Sequence, residues 1–307
     1  MARHRSAHAP VPSRPDMVWL PGGTFTMGSD RHYPEEAPAH RAEVGELWID
    51  VTPVTNEQFR IFVEATGHVT AAELAPNPDD YPGARPELLV PASVVFVKPR
   101  QRVSLRDPYQ WWRYIPGANW RQPLGPGSSI DGKDDHPVVH VALSDVEAFA
   151  AWAGKELPTE AEWEFAARGG LDAQEFAWGA ELEPGDRLMA NYWQGQFPFE
   201  YLRNGGVEGT SPVSSFPPNG YGLHDMIGNV WEWTCDWYTA RHGVPAKECC
   251  SYDPITPNVR IPRKVMKGGS YLCAANYCRR YRPAARMAQA IDTPTSHLGF
   301  RCVIRSG

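Results

Sequence analysis

Apolar residues along the chain form three short helical stripes, set among many brief runs with no sustained period. In the first stripe Phe59, Phe62 and Val63 recur at the three- and four-residue spacing of one helix face. It follows Thr55-Asn56-Glu57-Gln58, a capping box that satisfies N–H groups left bare where a helix begins, and Gly67 ends it. The second follows the box Ser144-Asp145-Val146-Glu147, carries Phe149 and Trp152, and stops at Gly154. The third follows Pro158 and the box Thr159-Glu160-Ala161-Glu162, carries Trp163 and Ala166, and stops at Gly169-Gly170. Three helices are predicted there.

The remainder predicts strands and ordered loops. Residues 17–28 alternate around Pro21-Gly22-Gly23 and predict an opening β-hairpin. Residues 93–97 and 300–304 read as short strands, while 68–135 and 171 onward otherwise show neither long helical periodicity nor clean alternation. No repeat or linker divides the chain. The expectation is a flexible tail over 1–16 and a single domain over 17–307, an irregular α+β fold with little regular secondary structure.

Composition sharpens this picture in two places. The chain has 27 Gly and 30 Pro, nearly a fifth of its 307 residues, spread along its length. That exceeds the usual share of about 12% and fits a folded, turn-rich protein. Twelve Trp supply large apolar surfaces that substitute for regular packing. The net charge of −6 argues against nucleic-acid binding. No apolar run approaches the roughly 18–20 residues that span a bilayer, and the basic start lacks the apolar core of a signal peptide. A cytoplasmic location is expected, without membrane association. Six Cys in a chain of this length do not make a secreted disulfide framework.

The candidate chemistry lies in Cys273-Ala274-Ala275-Asn276-Tyr277-Cys278. Five residues apart, the two sulfurs point to opposite faces of a strand and to divergent faces of a helix, so they converge only if the chain turns between them. Converged, they form a disulfide or grip a soft metal. No further Cys-x₂-Cys or His pair completes a zinc set, and two thiolates suit Cu(I). Arg279, Arg280, Arg282 and Arg286 follow closely; they either favour thiolate or pair with carboxylates elsewhere. Spacing alone leaves a functional and a structural pair equally open. Cys235 and Cys302 read as packing residues, and Cys249-Cys250 are too strained as neighbours for an ordinary bridge.

Several segments resemble the sulfatase-modifying factor superfamily in order along nearly the whole chain. They are Pro21-Gly22-Gly23-Thr24-Phe25, Leu157-Pro158-Thr159-Glu160-Ala161-Glu162-Trp163-Glu164, Pro217-Pro218-Asn219-Gly220-Tyr221-Gly222-Leu223, Gly228-Asn229-Val230-Trp231-Glu232-Trp233, Lys267-Gly268-Gly269-Ser270 and Leu298-Gly299-Phe300-Arg301. The stretch 268–282 is similar to the active-site segment of formylglycine-generating enzymes. The resemblance implies a C-type-lectin-like core and a monomer. It further implies an oxidase that converts the cysteine of a Cys-x-Pro-x-Arg motif in an unfolded or nascent type I sulfatase to formylglycine, using O₂ and a thiol reductant.

By position it implies Cys273 and Cys278 as Cu(I) ligands, Ser270 lining the pocket and Trp231 beside the metal. It implies a structural calcium at Asp225, Gly228, Val230 and Glu232, an oxygen set suited to a hard cation. A second calcium site is implied at Asn191, Tyr192, Gly205 and Val207, weakened because Gly205-Gly206-Val207 lacks the family's carboxylate. Relatives of the secretory pathway bridge the position of Cys302 to that of Ala167, which alanine forbids.

Other polar features read as structural. Asp134, Asp135, His136 and His140 predict a solvated loop. Asp79 and Asp80 predict a turn or, less favoured, a carboxylate fork for the substrate arginine. Trp111 and Trp112 fill the core or wall a peptide groove, core being favoured. Three alternatives stand beside the oxidase: a calcium-stabilised peptide- or sugar-binding module, an iron sulfoxide synthase, for which no His-rich site is visible, and a thiol–disulfide relay without copper.

Overall fold

A computed structural model describes residues 14–202, 208–244, 251 and 260–305. Two helices carry the caps read from the sequence. Helix α1 (Asn56–Thr66) starts where the Gln58 N–H donates to the Thr55 hydroxyl and the Thr55 N–H donates to the Gln58 side chain at 2.9 Å; Gly67 ends it at a φ of 69°. Helix α3 (Glu160–Arg168) repeats the device with Thr159 and Glu162 and buries Trp163. Helix α2 (Leu143–Trp152) departs from expectation, because its cap is Ala142 rather than Ser144. The Asp145 carboxylate accepts the Ala142 N–H at 2.8 Å and the Ala71 N–H at 3.1 Å, and meets the His68 ring at 2.9 Å. A carboxylate that ties a distant segment to the helix start outweighs a local hydroxyl.

The opening segment is not a hairpin. Strand β1 (Met17–Leu20) pairs antiparallel with β4 (Leu47–Asp50), which also pairs with β11 (Val303–Arg305). Strand β2 (Gly23–Met27) pairs instead with β3 (His40–Val44). Gly22, at a φ of 68°, passes the chain between the two sheets so closely that a Cβ there would lie 2.4 Å from the Val44 carbonyl oxygen. The strand read at 93–97 is β5 (Ala92–Phe96), paired with β6 (Trp112–Pro116). The one read at 300–304 becomes a strand only from Val303. Before it, the Phe300 and Cys302 carbonyls accept the Val54 and Asp50 N–H groups singly, outside a ladder.

The region of weakest pattern holds the largest sheet, ordered β10-β7-β8-β9: β7 (Trp231–Trp237), β8 (Arg263–Lys267), β9 (Arg286–Ala290) and β10 (Leu298–Gly299). Its strands are buried by charged as well as apolar residues, which blurs any alternation. Lys267 lies 2.9 Å from Glu164, Arg286 lies 2.7 Å from Glu160, and Glu232 lies 2.7 Å from Arg301, all inside the protein. Two of the buried indoles have satisfied nitrogens: Trp163 donates to Glu232 at 2.7 Å and Trp233 to the Val141 carbonyl at 3.1 Å. Small sheets and three short helices around this core give the irregular mixed fold that was expected.

The 134–140 segment is only half solvated. Asp134 and Asp135 are exposed, but His136 and His140 are buried. His140 sits between the Ser93 hydroxyl at 2.7 Å and the Pro123 carbonyl at 3.0 Å, and burial drives its pKa down to about 4. These imidazoles are neutral structural parts. Among the described residues no helix is long and apolar enough to cross a membrane.

Candidate active site

The thiol loop begins where β8 ends. Gly268 and Gly269 follow Lys267 with φ values of 96° and 73°; a Cβ on Gly269 would press within 2.9 Å of the Arg280 and Tyr281 backbone. Glycine is therefore required for the loop to fold back on the segment after it. Two turns then follow. The Cys273 N–H donates to the Ser270 carbonyl at 2.9 Å, and the Cys278 N–H donates to the Ala274 carbonyl at 2.9 Å. The pair thus meets through the turn that its spacing required, with the sulfurs 3.5 Å apart. That separation is well beyond a disulfide bond of about 2.05 Å. Both thiols are free and nearly buried.

Cys273 and Cys278 open on a cleft of about 430 Å³. Ser270 and Trp231 line it, as the sequence suggested, and the Ser270 N–H donates to the Cys273 sulfur at 3.4 Å. Trp111 and Trp112 also line it, so Trp111 is both buried core and cleft wall. Sequence reasoning missed Tyr109, Tyr277 and His297. Tyr109 is 80% exposed at the rim, Tyr277 stacks on Phe197 at 4.6 Å, and the His297 ring lies 4.8 Å from Trp112. Burial, reinforced by His140, holds His297 neutral with a pKa near 3, and its Nδ1 meets the Thr295 hydroxyl at 2.8 Å. In the sequence His297 merely precedes the Leu298-Gly299-Phe300-Arg301 motif, which by itself gave no signal.

The four arginines after the pair divide sharply. Arg282 forks onto buried Glu36, Arg286 onto Glu160, and Arg279 reaches Glu175 at 3.3 Å. Arg280 alone reaches a thiol, donating to the Cys278 sulfur at 3.7 Å. It is braced by Glu35 at 3.2 Å and by the Tyr33 ring at 3.7 Å. Burial keeps the Cys273 thiol well above its ordinary range. Cys278 is pulled down to about 6 by its hydrogen bond with Cys273 and then by the Arg280 charge, against desolvation. At neutral pH the pair therefore holds one proton and one negative charge.

This gives a direct expectation for metal-free protein. A group with a depressed pKa is ionised above it, so alkylation of Cys278 by iodoacetamide should fall off as pH drops through about 6. In Arg280→Met the half-point should rise by about one unit or more. A half-point near the ordinary thiol value of about 8.5 in the unaltered protein would refute the assignment of charge.

The residues implied for the first calcium site lie in the 225–232 segment that leads into β7. Asp225 and Asn229 have φ values of 54°, turning the 225–232 segment tightly. Asp225 is buried, its carboxyl raised by desolvation, with the Ser214 N–H donating at 2.8 Å and no ion pair among the described residues. Glu232 differs: both oxygens take Arg301, and one also takes Trp163. Asn191 keeps a buried Oδ1 with no partner among the described residues. Tyr192 is buried and donates to Glu183, while Gly205 and Val207 lie outside the described residues. Asp79 and Asp80 are exposed on a short turn where the Asp79 N–H donates to Asn77 at 3.2 Å, and neither lines the cleft.

Residues 3–306 match the family model described as a sulfatase-modifying factor enzyme 1-like domain. A formylglycine-generating enzyme of Mycobacterium tuberculosis is 52% identical over 291 residues, 94% of this chain and 97% of that protein. A mouse relative called inactive C-alpha-formylglycine-generating enzyme 2 is 40% identical over 300 residues, 95% of this chain and 87% of that one. The solved structure of PvdO from Pseudomonas aeruginosa superposes with a TM-score of 0.60 at 27% identity, covering 94% of this chain and 93% of the other. With the whole described fold and both thiols inside the matched span, the chain belongs to the sulfatase-modifying factor enzyme 1-like family.

Proposed function

We propose that the chain is a copper-dependent formylglycine-generating oxidase acting on the cysteine of a Cys-x-Pro-x-Arg motif in a sulfatase polypeptide. One observation carries this reading: two free thiols, 3.5 Å apart, open into a cleft wide enough for a peptide. Because the family includes a member called inactive, membership alone does not decide activity, and the thiol pair is what supports it here.

The sulfur pair suits Cu(I). Cys273 and Cys278 would hold the ion through two soft sulfurs 3.5 Å apart, Cys278 being the more readily ionised of the two. Cu(I) bound there would supply the one-electron path to dioxygen. The chain's own residues do the rest. Arg280 steadies the charge on Cys278, and the Ser270 N–H orients the Cys273 sulfur. Trp231, Trp111 and Trp112 wall the cleft with apolar surface that keeps water from the reacting carbon.

The stoichiometry balances. The substrate Cβ loses two electrons and a thiol reductant supplies two more; together they reduce one O₂ to water. Water supplies the carbonyl oxygen, and sulfur leaves as hydrogen sulfide. Incubation of a Cys-x-Pro-x-Arg peptide with protein, Cu(I), O₂ and reductant should yield the aldehyde, read by mass spectrometry. Equal yield after rigorous copper removal would instead favour the thiol relay. No aldehyde under any condition would leave the binding module.

Calcium belongs to the same proposal, centred on Asp225 and the carbonyls of Gly228 and Val230, with Glu232 shared with Arg301. The buried Asp225 carboxylate, with no ion pair among the described residues, supports it. Calcium at a hundredfold above its dissociation constant should stabilise the fold by about 2.7 kcal/mol. Asp225→Asn should remove most of that thermal shift; an identical shift in the variant would eliminate this site.

A further inference from the structure

A second cavity, of about 320 Å³, adjoins the thiol cleft. Val94 and Thr293 line both, so one wall, built where β5 meets the 293–296 segment, divides them. The wall is firm: the Val94 N–H donates to the Pro294 carbonyl at 3.2 Å, and the Ser296 N–H donates to the Val94 carbonyl at 2.9 Å. The opposite side comes from the 71–92 excursion, through Leu74, Ala84, Leu88 and Leu89. Leu74 is 54% exposed and Leu88 is 40% exposed, so both present apolar surface to the cavity and to solvent.

The chemistry of the lining selects an apolar occupant. Three of its polar groups are already engaged: Tyr81 donates to Asp292, Thr293 donates to Asp292 at 3.0 Å, and Tyr114 donates to the Val90 carbonyl at 3.0 Å. What remains facing the space is largely aliphatic and aromatic carbon.

We infer that this cavity is a specificity subsite that receives an aliphatic or aromatic side chain of the same polypeptide whose cysteine enters the thiol cleft. The inference rests on the proposed reading of that cleft as a polypeptide-thiol site. The shared wall commits it to that polypeptide, because a chain leaving the cleft across Val94 or Thr293 passes from the lining of the cleft to the lining of the cavity.

The test uses inert peptides, with the target cysteine replaced by serine, so that binding is read apart from chemistry. One leucine is walked through otherwise polar flanks on both sides of Cys-x-Pro-x-Arg, and binding to the full chain is followed by fluorescence anisotropy. At least one leucine position should tighten binding about tenfold over the all-polar peptide, as burial of one aliphatic side chain allows. Ala84→Trp, which fills the cavity, should reduce that preference to about one. Leu88→Asp, which puts a charge on the same 71–92 side, should do the same, and thermal melts check that either variant is folded.

A preference absent at every position, or unchanged in both folded variants, overturns the subsite, as does failure of all the peptides to bind. A preference that follows the cavity variants, combined with no aldehyde from the cysteine peptide, upholds the subsite and rejects the oxidase reading instead.

Discussion

Cys273→Ala and Cys278→Ala should each lower aldehyde formation at least about a thousandfold, and the double variant should be no slower than either single one. If the sulfurs act as one clamp, removing the first already removes the function, and removing the second costs nothing more. Independent roles, for instance Cys278 as the reactive thiolate and Cys273 as packing, would instead give a mild Cys273 variant and a severe Cys278 variant. Folding should be nearly indifferent, since loss of one buried sulfur costs about 1 kcal/mol. Substrate turnover by Cys273→Ala at even a tenth of the normal rate would defeat the clamp.

The second large effect concerns stability. Arg301 is fully buried and serves four partners at once: the Glu232 carboxylate and the carbonyls of Asp50, Val51 and His224. Arg301→Met should destabilise the fold by about 3–5 kcal/mol, because Glu232 is left charged and buried. For a chain of this size that lowers the melting temperature by roughly 10 °C. Adding Glu232→Gln to Arg301→Met should recover part of the loss, since the stranded charge goes with it. Simple additivity of the two losses would mean that the pair is not coupled, contrary to its 2.7 Å geometry.

Local signals were legible where one segment decides its own conformation. The caps at Thr55 and Thr159 and the exits at Gly67 and Gly169 needed nothing distant, and both helices form there. Ser144 failed because Asp145 answers to Ala71 and His68, more than seventy residues away in sequence. The Pro21-Gly22-Gly23 break announced a turn but could not say whether β1 would meet β2 or β4. That choice depends on β11, at the far end of the chain. The strands of the large sheet escaped detection because Lys267, Glu232 and Arg286 are buried where a strand pattern calls for apolar residues.

The thiol pair was half legible. Its spacing demanded a turn, and the turn is there. Which of four arginines would reach sulfur was open, since that depends on where Glu35, Glu36, Glu160 and Glu175 fall in space. His297 was invisible because a lone histidine beside a motif carries no signal until the fold sets it against Trp112.

Among the described residues the cysteines are all free, and the position from which a bridge to Cys302 would come holds fully buried Ala167, which has no sulfur. The described scaffold therefore owes none of its shape to crosslinks. Dithiothreitol, at the concentrations a turnover assay demands, should leave its melting curve untouched, whereas a stapled relative would loosen under the same treatment. In a test of the proposed reaction, reducing power could thus be varied as a reactant without eroding the fold.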